Sequence, residues 1–399
     1  MLEEDIYMSQ PPGFVNSANK SLVCKLHKSL YGLKQAPRAW FDKLTFVLLM
    51  LGFSKSKCDP SLFTFFTSDA TVFMLVYVDD IILTGNSPSL IQKFVTQLNA
   101  TFSLKDLGTL DYFLGIEVKS LSHGKLLLSQ DKYIIDLLTK VNMEDSKGIS
   151  TPMIGGQQLA KGGTLFDDPT LYRSVVGALQ YATITRPEIA FSVNKVSQFM
   201  CSPMEEHWKV VKRILRYLKG TVGHGLVFSL AQHTTPFNLT AFTDADWASD
   251  PNDRRSTSAA CLYLGPNLVP WWSKKQLLVA RSSIEAEYRA LAQAVTEVLW
   301  IHSLMKELKV PLNTPTVLCD NQSTVALSHN PVLHARSKHM ELDIFFVREK
   351  VLNKSLVVSH IPAQHQFADV LTKALSPKRF LLLLSKLNVA DPSTLLHPP

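Results

Sequence analysis

The feature that most restricts this chain is the stretch Thr243-Asp244-Ala245-Asp246-Trp247, together with three carboxylates that follow it at long intervals. It comes after Phe237-Asn238-Leu239-Thr240-Ala241-Phe242, where Leu239, Ala241 and Thr243 fall on one face and Phe242 and Asp244 on the other. That alternation predicts a strand with Asp244 at its end, where a buried element meets solvent. Glu287 lies near the start of a long helical pattern, Asp320 closes the next apolar run, and Asp369 sits on a late helix. Bringing four acids together is costly, because like charges disfavour each other's ionised form. A fold that converges them needs a compensating cation, and hard oxygen ligands suit Mg²⁺ or Mn²⁺.

The neighbours of each acid narrow the choice. Ser282-Ser283-Ile284-Glu285 reads as a capping box, a hydroxyl followed three residues on by a glutamate. The helix it opens runs to about 308, with Ile284, Tyr288, Leu291, Val295, Val298, His302 and Met305 as its buried stripe. The cap accounts for Glu285, which leaves Glu287, flanking the stripe, for the metal. Asp320 follows a short buried strand and precedes a helix. That is where an α/β sheet presents a ligand, and also where an aspartate merely caps a helix.

A last strand over 356–361 and a helix opening at 367 carry Asp369. His360 and His365 lie between them. His360 is the better placed to shuttle a proton or help product leave, and a surface histidine without a role is the other reading. Further strands are expected at 259–265, 269–273 and 276–280. Arg254 and Arg255 either touch phosphates or only solubilise a hairpin. Arg336 and Lys338, in the basic loop 334–339, are assigned to phosphate contact. His339 and Asp343 are spaced i, i+4 with no third ligand near, and that pair is assigned to chance.

A second acidic feature, Tyr77-Val78-Asp79-Asp80, lies between the apolar runs 72–76 and 81–85. It predicts a hairpin with both acids at its turn. The flanks show no alternation, so the hairpin is expected to be buried, and acids there would need a metal. Upstream, Pro37 opens a helix carrying Trp40, Leu44, Val47 and Leu51. Downstream, strands are expected within 108–118 and 125–129, and helices over 132–141, 170–200 and 203–219. A Gly- and Pro-rich loop spans 150–169. The helix over 203–219 sets Val211, Ile214, Leu215 and Leu218 against Lys209, Lys212, Arg213, Arg216 and Lys219. Such a basic stripe either follows a phosphate backbone or is a solvated face.

Composition supports a globular chain. With 399 residues, two or three domains are expected. The hydrophobic content of 46% excludes general disorder. The net charge of +7 permits a nucleic-acid partner. Five cysteines without a Cys-x-x-Cys pair read as reduced thiols of an intracellular protein, cytoplasmic or nuclear. No signal peptide and no membrane span are expected, so no membrane partner is assigned.

Several of these strings together resemble one family. Gln10-Pro11-Pro12-Gly13-Phe14, Leu30-Tyr31-Gly32-Leu33-Lys34-Gln35-Ala36-Pro37-Arg38-Ala39-Trp40 and Tyr77-Val78-Asp79-Asp80 look like the reverse transcriptase of copia-type LTR retrotransposons. Tyr172-Arg173-Ser174-Val175-Val176-Gly177, Thr185-Arg186-Pro187 and Arg216-Tyr217-Leu218-Lys219-Gly220-Thr221 are similar to its thumb and connecting region. Thr243-Asp244-Ala245-Asp246-Trp247-Ala248, Asp253-Arg254-Arg255-Ser256-Thr257-Ser258, Trp272-Ser273-Lys274-Lys275-Gln276, Leu318-Cys319-Asp320-Asn321-Gln322 and Ala368-Asp369-Val370-Leu371-Thr372-Lys373 are similar to its ribonuclease H domain. The resemblance runs to about residue 390.

It implies an α/β and α+β multidomain chain. The expected parts are a truncated reverse transcriptase palm over 1–130, a mostly helical thumb or connection over 131–235, a ribonuclease H-like domain over 236–375, and a C-terminal tail over 376–399. The ribonuclease H part implies a mixed five-stranded sheet flanked by helices. Asp244, Glu287, Asp320 and Asp369 carry over as its metal-binding acids. Two Mg²⁺ or Mn²⁺ ions roughly 3.5–4 Å apart are expected there, with Asp244 bridging them and Asp369 holding one.

Asp79 and Asp80 match the second and third metal-binding aspartates of the palm. Tyr31 and Gly32 match the segment beside the incoming nucleotide. The first palm aspartate belongs to a motif upstream of residue 1, so polymerase activity is not expected of this chain alone. The partners implied are an RNA–DNA hybrid, RNA template and DNA, with self-association through an exposed palm edge. The expected activity is cleavage of the RNA strand of a hybrid. Its rivals are a reverse transcriptase completed by another chain, a non-catalytic nucleic-acid-binding relic, and a purely structural protein.

Overall fold

The computed structural model describes residues 5–15, 21–28, 30, 32–230, 236–330 and 340–392. The chain divides into two compact units, Met1–Gly108 and Thr109–Pro399.

The first unit opens with a short antiparallel pair, β1 (Tyr7–Ser9) and β2 (Val23–Lys25). Helix α1 (Ala36–Met50) carries Pro37 in its first turn, where the missing N–H costs nothing. Strands β3 (Ser54–Lys55), β4 (Leu62–Phe66), β5 (Thr71–Tyr77) and β6 (Asp80–Gly85) form an antiparallel sheet in that order, and α2 (Pro88–Phe102) follows. Along β5 the side chains alternate: Val72, Met74 and Val76 are buried, while Phe73 and Leu75 are only partly covered. The buried row packs against Leu44 and Leu48 of α1 and Phe94 and Leu98 of α2. The sheet is therefore covered by helices along one row of side chains, and the unalternated flanks of the Asp79–Asp80 turn do not signify a hairpin buried on both sides.

The second unit contains two five-stranded sheets. The first runs in the order β16, β10, β9, β8, β7. Its members are β7 (Tyr112–Phe113), β8 (Ile116–Ser120), β9 (Leu126–Ser129), β10 (Gly225–Phe228) and β16 (Val389–Ala390), each antiparallel to its neighbour. Two expected boundaries move as a result. Residues 109–130 satisfy their backbone hydrogen bonds with strands of the second unit, so the first unit ends at Gly108 and not at 130. The described part of 376–399 is no tail: α11 (Pro377–Lys386) and β16 complete this sheet and its core.

Helices α3 (Asp131–Lys140), α4 (Pro169–Ala182), α5 (Ala190–Ser197) and α6 (Glu205–Gly220) fill the segment between β9 and β10. The single helix expected over 170–200 is broken between α4 and α5, where Arg186 and Pro187 turn the chain. Arg186 is completely buried. Its guanidinium donates to Glu188 Oε1 at 2.7 Å, to the Thr221 carbonyl at 2.9 Å and to Thr221 Oγ1 at 2.6 Å. The Tyr217 hydroxyl also donates to Glu188, at 3.2 Å. This set ties the break to the end of α6.

The second sheet runs in the order β13, β12, β11, β14, β15. Strands β11 (Leu239–Asp246), β12 (Thr257–Leu264) and β13 (Asn267–Lys275) are antiparallel, and β14 (Thr316–Cys319) and β15 (Val357–His360) are parallel to β11. The implied mixed five-stranded sheet is thus present. Strand β13 is one strand, whereas the residues suggested two at 269–273 and 276–280. Its pairing stops at Lys275 because Lys275 opposes Thr257, the first residue of β12. Within it, Val269 and Pro270 together oppose Leu262, a bulge that spares the ladder an N–H that proline lacks.

Helix α7 (Ser283–Glu307), α8 (Gln322–His329) and α9 (Glu341–Leu352) belong to the core on one side of this sheet, with Tyr288, Leu291, Val295 and Val298 against Ala260 and Leu262. On the other side, α3 to α6, α10 (Asp369–Thr372) and α11 share a continuous core with Ala259, Cys261 and Tyr263. The helical segment 131–235 is therefore part of the same body as the sheet, not a separate thumb. Without it one face of the sheet is bare. Among the described residues no helix is long and apolar enough to cross a membrane.

Candidate active site

The four acids predicted to converge come from β11, the first turns of α7, the residue after β14 and the first residue of α10. Asp244 does not end its strand: β11 continues to Asp246, and Asp244 is 2% exposed. Parallel pairing of β14 beside β11 carries Asp320 to the same end of the sheet. Helix α7 starts there because the Ser282 hydroxyl accepts from the Glu285 N–H at 3.2 Å. The Glu285 carboxylate accepts from the Arg281 N–H at 2.8 Å and pairs with Arg289 at 2.8 Å. Glu285 is thus occupied by the cap and Arg289, and Glu287, two residues on, is left facing the acids.

Two halves can be distinguished. In the first, carboxylate oxygens of Glu287 and Asp320 and the Cys319 sulfur all lie within 4.8 Å of one another. Burial, then Asp244 and Asp320, push the Glu287 carboxyl up to about 9, against a smaller opposing effect of the Ala245 N–H. Burial also pushes the Cys319 thiol up, so it stays protonated and is a poor ligand for a hard cation. Glu287 and Asp320 make no salt bridge to a basic group among the described residues, and their carboxylate oxygens are hard donors of the kind divalent ions take.

In the second half the cation is built in. Lys373 Nζ lies 2.8 Å from Asp369 Oδ1 and 3.3 Å from Asp244 Oδ2. Arg379 approaches Asp369 Oδ2 at 3.4 Å, and the Thr372 hydroxyl donates to Asp244 Oδ2. Burial lifts the Asp369 carboxyl above its ordinary value, with Lys373 opposing. Burial works against the Lys373 charge, but Asp244 and Asp369 outweigh it and hold the ammonium protonated.

Gln366, completely buried, joins the halves. Its amide donates to the Thr243 carbonyl at 2.9 Å and reaches Asp320 Oδ1 at 3.5 Å, while its oxygen accepts from the Ala368 N–H. Lys373, Arg379, Thr372 and Gln366 were not singled out from the sequence. Thr372 and Lys373 stood in the string that resembles the family, and Lys373 carried the further signal of its i, i+4 spacing from Asp369. Beside the site, a cavity of about 290 Å³ is lined by Lys195, Gln198, Asp246, Ser249 and Lys373.

The remaining candidates are dispersed. His360 is exposed at the end of β15, in register with Cys319, and its ring makes no hydrogen bond among the described residues. Arg254 is exposed in a left-handed turn (φ 59°), and Arg255 is paired with Asp253 at 3.7 Å. Of the basic residues of α6, Lys212 is exposed without a salt bridge among the described residues, whereas Lys209 pairs with Glu206. Arg213 donates to Thr151 Oγ1 at 2.9 Å and Arg216 to the Lys147 carbonyl at 2.9 Å, so both hold the preceding loop. Tyr31, Arg336 and Lys338 lie outside the described residues. Gly32 is exposed with φ 91°.

Asp79 and Asp80 stand at the β5–β6 turn, where Tyr77 opposes Asp80. All four residues of the turn are exposed, so the expected burial of these acids is corrected: water solvates them. Val78 takes φ 54°, a left-handed conformation that a β-branched residue adopts only under strain.

A profile of the family described as reverse transcriptase (RNA-dependent DNA polymerase) matches residues 1–155. The chain is 48% identical over 390 residues to the retrovirus-related Pol polyprotein from transposon RE1 of Arabidopsis thaliana, a match covering 97% of this chain and 26% of that protein. It is 32% identical over 300 residues to the putative transposon Ty5-1 protein of Saccharomyces cerevisiae, covering 74% of this chain and 96% of that protein. Among solved structures, LC11-RNase H1 in complex with RNA/DNA hybrid aligns at 20% identity over 34% of this chain and 93% of that chain, with a TM-score of 0.26. The chain spans about a quarter of the length of the RE1 and RE2 polyproteins. By sequence, then, this chain belongs to the Pol family of copia-type retrotransposons.

Proposed function

We propose that the second unit is a metal-dependent ribonuclease that cuts the RNA strand of an RNA–DNA hybrid. The observation that carries this reading is the convergence of Asp244, Glu287, Asp320 and Asp369, from four separate elements, at one end of the mixed sheet. Nothing in the packing of a sheet calls for four acids at one corner, and their mutual repulsion argues for a cationic ligand. Glu287 and Asp320 would hold one ion and Asp369 a second, with Asp244 a ligand of both. Bound divalent ions supply the Lewis-acid charge for phosphodiester hydrolysis. The chain's own part is to present the carboxylates. The cap on α7 sets Glu287, Gln366 sets Asp320 against β11, and Thr372 orients Asp244.

The test is cleavage of an end-labelled RNA–DNA hybrid in Mg²⁺, with EDTA and Asp244→Asn as controls. RNA-strand products lost in both controls are the expected result. Intact RNA with a folded, hybrid-binding protein would instead support the non-catalytic relic.

The reading for the first unit is a polymerase palm segment without activity of its own. Among the described residues Asp79 and Asp80 belong to no group of three potential metal ligands, and the resemblance implies three metal-binding aspartates in a working palm. Primer extension on a primed RNA template is expected to stay at background. Robust extension by this chain alone would end that reading.

A further inference from the structure

The two halves of the acidic site are unequal, and the inequality points to an order of ion binding. Asp244 and Asp369 already share a cation: the Lys373 ammonium lies 3.3 Å from one and 2.8 Å from the other. That ammonium lies on Asp244 Oδ2 and Asp369 Oδ1, and its positive charge there opposes the entry of a second cation. Glu287 and Asp320 make no salt bridge among the described residues, and Lys373 is only the last of the influences on Glu287. The Lys373 side chain is 39% exposed, but its backbone is anchored beside the site. Its backbone N–H donates to the Asp369 carbonyl at 3.1 Å, and the preceding residue, Thr372, is completely buried. Arg379 closes the far side of Asp369 and is itself held by the Gln364 and Ala363 carbonyls at 2.7 and 3.1 Å.

We propose that Lys373 is a tethered counter-cation occupying the second ion's place, so that the free protein takes one divalent ion, at Glu287 and Asp320, and admits a second only when Lys373 is displaced. The inference rests on the metal-dependent reading above. It assigns Lys373 a positioning role: the ammonium holds Asp244 and Asp369 together before substrate arrives. A nucleic-acid phosphate at the site offers the lysine an alternative anionic partner, which frees both carboxylates together.

The test counts ions without using activity. Mn²⁺ is titrated into the full chain free of nucleic acid, and bound ion is followed by electron paramagnetic resonance and calorimetry. The wild-type protein is expected to bind one ion. Lys373→Met is expected to bind two, or to tighten the second by at least tenfold, and adding Asp369→Asn to Lys373→Met should return the count to one. Lys373→Arg keeps the charge and should behave as wild type. If Lys373→Met unfolds in EDTA, its melting in Mn²⁺ is compared with that of Lys373→Arg, and a larger rise in Tm with Mn²⁺ for the methionine variant is the supporting outcome.

Two ions bound by wild type, with Lys373→Met unchanged, would overturn the proposal while leaving the metal reading intact. Failure of both proteins to bind more than the double variant Glu287→Gln, Asp320→Asn binds would overturn the metal reading and the proposal with it.

Discussion

The two units treat charge in opposite ways. Among the described residues of the first unit no charged side chain is buried, and its two adjacent acids stand in water at the tip of a hairpin. In the second unit Arg186, Glu188, Asp244, Asp250, Glu285, Glu287 and Arg348 are all buried. Most of these are closed into specific sets: Arg186 with Glu188, Asp250 with Lys275 at 2.7 Å, Glu285 with Arg289, and Asp244 with Lys373. Glu287 is the acid left beside other acids, and burial drives its carboxyl up to about 9. A solvated carboxylate says little about what it binds. A buried one left with like charges has to be given a cation or a proton. The contrast is the reason the proposed chemistry is assigned to the second unit.

Experiments that break the contrast rank by expected size. The largest effect is on folding. A chain beginning at Thr109 is expected to unfold cooperatively, whereas one beginning at residue 236 is expected not to fold, because it strips α3 to α6 from one face of the sheet. Circular dichroism and denaturant melts decide this, and a cooperative transition for the shorter chain would refute the shared core. Next, Arg186→Ala leaves Glu188 buried without its partner. Removing one member of a buried pair costs about 3–5 kcal/mol, which a urea midpoint will show. An equivalent change at an exposed pair such as Lys25 with Asp5, in the first unit, should cost under about 1 kcal/mol.

On activity, Asp244→Asn should slow hybrid cleavage roughly a hundredfold or more, given that metal-borne charge stabilisation is worth several kcal/mol and each decade about 1.4 kcal/mol. Asp79→Asn and Asp80→Asn should leave cleavage unchanged. A loss at either would mean that the hairpin takes part in the nuclease.

Acidity offers a finer probe. The Glu287 carboxyl is raised from an ordinary 4.5 to about 9 in the metal-free fold. Between those values the folded chain holds a proton that the unfolded chain has released. Stability in EDTA therefore falls as pH rises from about 4.5 towards about 9. Mg²⁺ should flatten that slope, and so should Glu287→Gln. A slope in EDTA that survives Glu287→Gln unchanged would place the titration elsewhere. The smallest expected effect is at Lys212, an exposed cation of α6. Lys212→Glu should weaken hybrid binding a few-fold at low salt and less at high salt. Equal weakening at both would remove it from the interface.

Much of the second sheet was legible in the residues because its cues are local. Alternation marked β11, the Ser282–Glu285 pattern marked the start of α7, and short apolar runs ending in acids marked the turns after β14 and before α10. The partners of the acids were not legible. Lys373, Arg379 and Gln366 reach the site through the way α10 and α11 pack, and no spacing in the chain states which lysine or glutamine is buried. The boundary at Gly108 was missed for a related reason. The strands of 109–130 look like a continuation of the preceding unit until their partners, β10 and β16, are known. The burial assumed for Asp79 and Asp80 failed because an unbroken apolar run, read as a strand buried on both faces, also fits a sheet that only one layer of helices covers.

The pairing of β16 with β10 has a consequence for synthesis. The first unit has its whole four-stranded sheet within residues 54–85, so it can close while most of the chain is still being made. The first sheet of the second unit cannot: β7 to β9 emerge early, β10 much later, and β16 near the far end of the described chain. Contacts this distant in sequence form slowly, and open strand edges invite mispairing while they wait. A ribosome pausing late in this message would hold out a finished first unit followed by an unfinished sheet, the stretch of the nascent chain most in need of a chaperone.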